Sequence, residues 1–136
     1  MPIRQARSGT EVATAPRSLL RPALLVLLNE HDDHGYALLD RLGAVGLGGV
    51  DSGGMYRMLR SLEQERAVKS WWSGAERGVR RRVYALTERG YQQLRHSVAA
   101  LVDQRDAVGA LVDRATASCS QYGSASKIRR YDGALR

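Results

Sequence analysis

Residues 51–86 read DSGGMYRMLRSLEQERAVKSWWSGAERGVRRRVYAL, and this stretch decides the fold. Asp51 or Ser52 offers a side-chain oxygen that can cap a helix. Beyond it Met55, Met58, Leu59 and Leu62 recur on one helical face, while Ser52, Tyr56, Arg57 and Arg60 fall on another that is polar, aromatic and cationic together. The period changes after Arg66. Val68–Ser73 and Arg80–Leu86 are short runs rich in Val, Trp and Tyr, separated by a loop from Gly74 to Val79, which predicts a two-stranded hairpin.

Upstream, Leu20, Leu24, Leu27 and Leu28 follow the i, i+4, i+7, i+8 spacing and predict a first helix over residues 18–29, with Pro22 tolerated only in its opening turn. His31, Asp32 and Asp33 end it. A second helix is expected from His34, carrying Tyr36, Leu38, Leu39 and Leu42 inward, until Gly43, Gly46, Gly48 and Gly49 stop it and make a turn. Three helices followed by a hairpin is the order of a winged helix-turn-helix, a mainly α domain with a small β-hairpin.

Downstream, Thr87 caps a last helix whose apolar register runs Tyr91, Leu94, Val98, Leu101, then Arg105, Val108, Val112 and Ala115. This is a heptad seam broken by one charge. A helix from Thr87 to about Ala117 would be on the order of 45 Å long, more than so small a domain needs. Its distal seam calls for an apolar partner, and the simplest is the same helix of a second copy, so a homodimer is expected.

Charge narrows the function. The chain has 136 residues and a formal net charge of +7, and 43% of its residues are hydrophobic, which fits one folded basic domain with a polyanionic partner. The excess is local: residues 67–96 carry +5, whereas residues 51–66 balance at zero. The termini, residues 1–17 and 119–136, lack apolar periodicity and are expected to be flexible basic tails. The longest strongly apolar run, Ala23 to Leu28, is far too short to span a bilayer, and the first residues carry no apolar signal segment, so a cytoplasmic protein without membrane contact is expected. Cys119 is the one cysteine and excludes an internal disulfide. His31, Asp32, Asp33 and His34 contain ligand-type side chains, but adjacent residues in a turn seldom converge on one metal. No nucleophile with a base, no carboxylate pair in a recognisable frame and no phosphate-loop motif is present, so neither catalysis nor a cofactor is expected.

A helix that shows Ser52, Gly53, Tyr56, Arg57 and Arg60 outward is suited to a DNA major groove, where arginine bonds guanine and neutral side chains grip phosphate. The plainer reading is a solvated amphipathic helix. What favours double-stranded DNA is the adjoining hairpin, where Arg77, Arg80, Arg81 and Arg82 form a cationic wing able to follow the phosphate backbone. Trp71 and Trp72 point to opposite faces of their strand, so at most one is buried and the other is free to stack on a ligand, a partner or nucleic acid.

Three segments together resemble the PadR family of transcriptional regulators. Leu24–Leu28 with His34-Gly35-Tyr36-Ala37-Leu38-Leu39 is similar to the family's opening helix and HGY signature. Gly54–Glu63 resembles its recognition helix, and Arg81–Gly90 its second wing strand and the start of its last helix. Three positions depart: the family usually has Thr at Gly54, often Pro at Arg57 and frequently Gly at Arg66. The resemblance implies a dimeric repressor on a pseudo-palindromic operator, released when a small molecule of aromatic or amphiphilic type binds between the first and last helices. Trp71 and Trp72 are then candidate effector contacts. Leu20, Leu24, Leu94, Val98, Leu101, Val108 and Val112 are candidate dimer contacts. The expected layout is a DNA-binding domain over residues 18–86 and a dimerisation helix over 87–118 between the two tails. The alternative is a ligand-independent architectural or partner-docking DNA-binding module.

Overall fold

The computed structural model describes residues 17–74 and 79–121, so most of both expected tails, and Arg77 of the wing, lie outside the described residues. A 3-10 turn at Arg17–Leu19 leads into α1 (Leu20–Glu30), followed by β1 (Asp33–His34), α2 (Gly35–Ala44), α3 (Ser52–Gln64), β2 (Val68–Ser73), β3 (Arg81–Leu86) and α4 (Glu88–Gln121). The chain divides into two units, met among the described residues as 17–97 and 98–121. None of the described helices is long and apolar enough to cross a membrane.

The first unit is built on leucine. Leu24, Leu25, Leu38, Leu42, Met55, Leu59 and Leu62 are fully buried, so α1, α2 and α3 meet along the faces their spacing predicts. Both helix stops come from one device. At the end of α2, Gly46 takes φ +92°, Gly46 N–H donates to the Gly43 carbonyl at 3.1 Å and Leu47 N–H to the Leu42 carbonyl at 2.8 Å, which turns the chain and folds Leu47 into the core. At the end of α3 the same pair of bonds recurs, Arg66 N–H to Glu63 and Ala67 N–H to Leu62, but the left-handed residue is Arg66, at φ 66°. The position where the PadR resemblance leads one to look for glycine is thus one whose backbone favours glycine.

The hairpin pairs Val68 with Leu86 through Ser73 with Arg81, as expected, with β3 starting one residue later than predicted. The sheet has a third member. Asp33, read from the sequence as ending the first helix, and His34, read as starting the second, form β1 and pair with Tyr84 and Val83 on the other edge of β3. Asp33 also accepts from His34 N–H at 2.9 Å and from Arg41 Nη1 at 3.2 Å, while Arg41 reaches the Leu27 carbonyl at 2.8 Å, so this corner is a structural clamp.

Thr87 caps α4 by accepting from Gly90 N–H at 3.0 Å, and its own hydroxyl donates to the Arg66 carbonyl at 2.6 Å. Gly90 lies so close to Ala67 that a Cβ there would collide with the Ala67 carbonyl oxygen. The helix runs on through Cys119, past the boundary expected at Ser118. Leu20, Leu24 and Leu94, expected at a dimer contact, are 8, 0 and 6% exposed inside the core of the first unit, which leaves them little surface for a second chain. In the second unit Val98, Val102, Val108, Leu111 and Val112 are exposed, and Leu101 is half-buried.

Candidate nucleic-acid interface

The site is assembled from α3, the wing and the start of α2. Asp51 caps α3 by accepting from Gly54 N–H at 3.1 Å, as its position predicts. With Met55, Leu59 and Leu62 turned inward, Ser52, Tyr56, Arg57 and Arg60 are exposed on the outer face and Gly53 is half-buried. Arg57 folds back over the first turn, with its Nη1 3.4 Å from the point a Cβ on Gly53 would occupy. The two glycines therefore leave room for a cation beside the helix start, where the free N–H groups already favour an anion.

On the wing, register partners share a face, so Trp72 sits beside Arg82, and Arg80, just ahead of β3, reaches the same ring. Both guanidinium carbons lie 5.3 Å from the Trp72 ring centroid. Arg82 is also bonded inward: its Nε donates to Ser70 Oγ at 2.9 Å and its Nη2 lies 3.5 Å from Glu63 Oε2. Glu63 belongs to α3, so Arg82 joins the wing to the helix and part of its charge is balanced. Arg80 and Arg81 are exposed. Arg81 Nη1 stands 3.2 Å from His34 Nε2, while His34 Nδ1 accepts from Ala37 N–H at 3.3 Å and caps α2.

One expectation changes here. Tyr36, expected in the core, is 73% exposed, because it stands about 200° around the helix from the buried Leu38. It lines a cleft of about 550 Å³ with His34, Tyr56, Trp72 and Arg80. Counting helical angle from Leu38 and Leu42 would have placed it there. Trp71 and Trp72 are 40 and 52% exposed, so neither is buried. The tie between Tyr56 and the HGY segment had no signal in periodicity: the Tyr56 ring packs on Gly35, where any Cβ would collide with it. Burial pushes the phenol of Tyr84, which also lines the cleft, above its usual range.

The structure thus brings Tyr56 of α3 and the wing residues Arg80, Arg81 and Arg82 to one cleft, with Arg60 in a second cleft that Tyr56 and Arg82 also line and Arg57 in a separate depression beside Arg17 and Val50. Residues 24–96 match the family model described as the transcriptional regulator PadR-like family. Among curated proteins no significant match is found. A PadR family transcriptional regulator from Eggerthella lenta is 28% identical, with a TM-score of 0.57 over 70% of this chain and 86% of its own. A PadR-like regulator from Bacillus cereus is 22% identical, with a TM-score of 0.64 over 71% of this chain and 93% of its own. Bacillus subtilis PadR, solved in complex with operator DNA, is 23% identical, with a TM-score of 0.54 over 62% of this chain and 48% of its own. The last two likenesses, at that identity, bear on the fold.

Proposed function

This chain belongs to the PadR-like family of transcriptional regulators, and from that premise we propose that it is a ligand-responsive repressor acting as a homodimer on a pseudo-palindromic operator. The observation that carries the DNA-binding part is an exposed helix face bearing Ser52, Tyr56, Arg57 and Arg60 whose Tyr56 shares one cleft with the wing residues Arg80, Arg81 and Arg82. The helix offers base contacts in the major groove and the wing supplies phosphate affinity. The operator complex of Bacillus subtilis PadR supports the same reading.

Two copies are supported by the exposed apolar row from Val98 to Val112, which needs a cover in water. Held by these helices, two α3 segments would enter successive major grooves about one turn apart. Effector response rests on the family resemblance. The half-exposed Trp71, on the sheet face away from the Trp72 stack, is the indole left for an aromatic ligand. Such a ligand would release DNA by changing the separation of the two heads.

Footprinting of the purified protein on the DNA upstream of its own gene and its neighbours tests the proposal. Two protected stretches about one helical turn apart are expected. Protection that spreads evenly over all sequences would leave only a non-specific DNA-binding module. Thermal melts with a panel of aromatic and amphiphilic compounds separate a sensor, which one compound stabilises, from a ligand-independent module, which none does.

A further inference from the structure

We propose that Trp72 is a positioning residue for DNA binding: its indole holds Arg80 in place for phosphate while Arg82 anchors the indole to α3. This rests on the DNA-binding reading above and adds a role for a neutral side chain within it.

Trp72 and Arg82 are register partners, so the strand pairing sets Arg82 beside the ring, and Arg80, just ahead of β3, reaches the same ring. Each guanidinium carbon is 5.3 Å from the ring centroid, within the range of a cation–π contact. The two arginines are held differently. Arg82 directs its Nε to Ser70 and its Nη2 to Glu63, and through Glu63 it is tied to α3. A ring contact uses the guanidinium face and leaves the N–H edge open, a geometry suited to donation to phosphate oxygens. Arginine has many rotamers in water, and a side chain already resting on a ring loses less freedom when it binds. The indole is 52% exposed, more than a side chain placed for packing alone requires.

Trp72 carries no charge, and this makes the idea testable apart from ordinary phosphate contact. The salt dependence of binding counts neutralised phosphates. Removing the indole should lower affinity and leave that dependence nearly unchanged. Fluorescence anisotropy with the footprinted duplex and a random duplex, each at several salt concentrations, would compare the wild type, Trp72→Thr, Trp72→Phe, Arg80→Ala and the Trp72→Thr/Arg80→Ala double variant. Trp72→Thr keeps a strand-forming residue at a half-exposed site. Circular dichroism and the melting midpoint check its fold, and Trp72→Phe serves should it melt early.

The expected result is that Trp72→Thr weakens both duplexes about 3- to 10-fold with the salt slope kept, and that Trp72→Phe retains part of the affinity. Arg80→Ala lowers the slope by about one. In the Arg80→Ala background the further effect of Trp72→Thr should shrink to less than about twofold. The proposal is overturned if folded Trp72→Thr or Trp72→Phe variants lose nothing while the wild type binds, or if the loss is as large without Arg80 as with it, since the ring would then touch DNA itself. A wild type that binds neither duplex at low salt would overturn the DNA-binding reading and this role with it.

Discussion

Arg60 and Arg66 stand six positions apart and do opposite kinds of work. Arg60 is exposed on the outer face of α3, and the proposed function gives it a base contact. Arg60→Ala should cost about 1–3 kcal/mol on the operator and relax base preference at one position. Equal losses on operator and random DNA, by competition binding, would remove it from the base contacts. Arg66 belongs to folding, since its φ of 66° is one that a residue with a Cβ adopts at a cost. Arg66→Gly should therefore raise stability by about 1 kcal/mol, read as a higher urea midpoint at unchanged slope. The buried leucines were legible in the sequence because their spacing is the helix period itself. Tyr36 was not, because counting it as apolar ignored its angle from Leu38. The Tyr56 contact with Gly35 joins residues far apart in sequence, and no local pattern reports such a meeting.

Among the elements, α1, α3 and α4 are tied at one point. Arg21 of α1 pairs with Glu65 just past α3 and donates to Gln93 of α4 at 2.7 Å. The Arg21 hydrogen bond holds the Glu65 carboxyl below the usual glutamate range. A carboxyl depressed in the folded state adds stability above its unfolded pKa, and that contribution fades as pH falls through the folded value. Glu65 is 42% exposed, so solvent screening keeps the effect under about 1 kcal/mol. Chemical denaturation should show Arg21→Met less stable than the wild type near neutrality, with the gap closing as pH drops below the ordinary glutamate range. A gap that stays constant with pH would assign the loss to packing of the Arg21 stem. The wing was readable because β2 and β3 are dense in β-formers around a glycine-bearing loop. Two-residue β1 was not, since it exists only through its pairing with β3 and has no period to read.

For the molecule as a whole, the separation of roles lies in where charge is absent. Residues 51–66 are neutral in sum while the wing segment is strongly basic, so raising salt should weaken all DNA binding yet leave the ranking of sequences largely intact. In the proposed homodimer the apolar row of the second unit sets the working size. Val108, 59% exposed, should be a partner contact, and Val108→Asp should give a monomer by sedimentation equilibrium, with operator affinity down by about 100-fold through lost avidity. An unchanged mass would return the dimer contact to another surface. The joint at Thr87 bears on how any signal travels. Its hydroxyl grips the Arg66 carbonyl, its N–H bonds the Ala67 carbonyl at 3.0 Å, and Gly90 lies flush against the same peptide. The first turn of α4 and the root of the wing are therefore joined by a backbone bond, one short side chain and a close backbone approach, so a torque applied to that turn should reach the wing as a nearly rigid rotation, with no long side chain in between to absorb it.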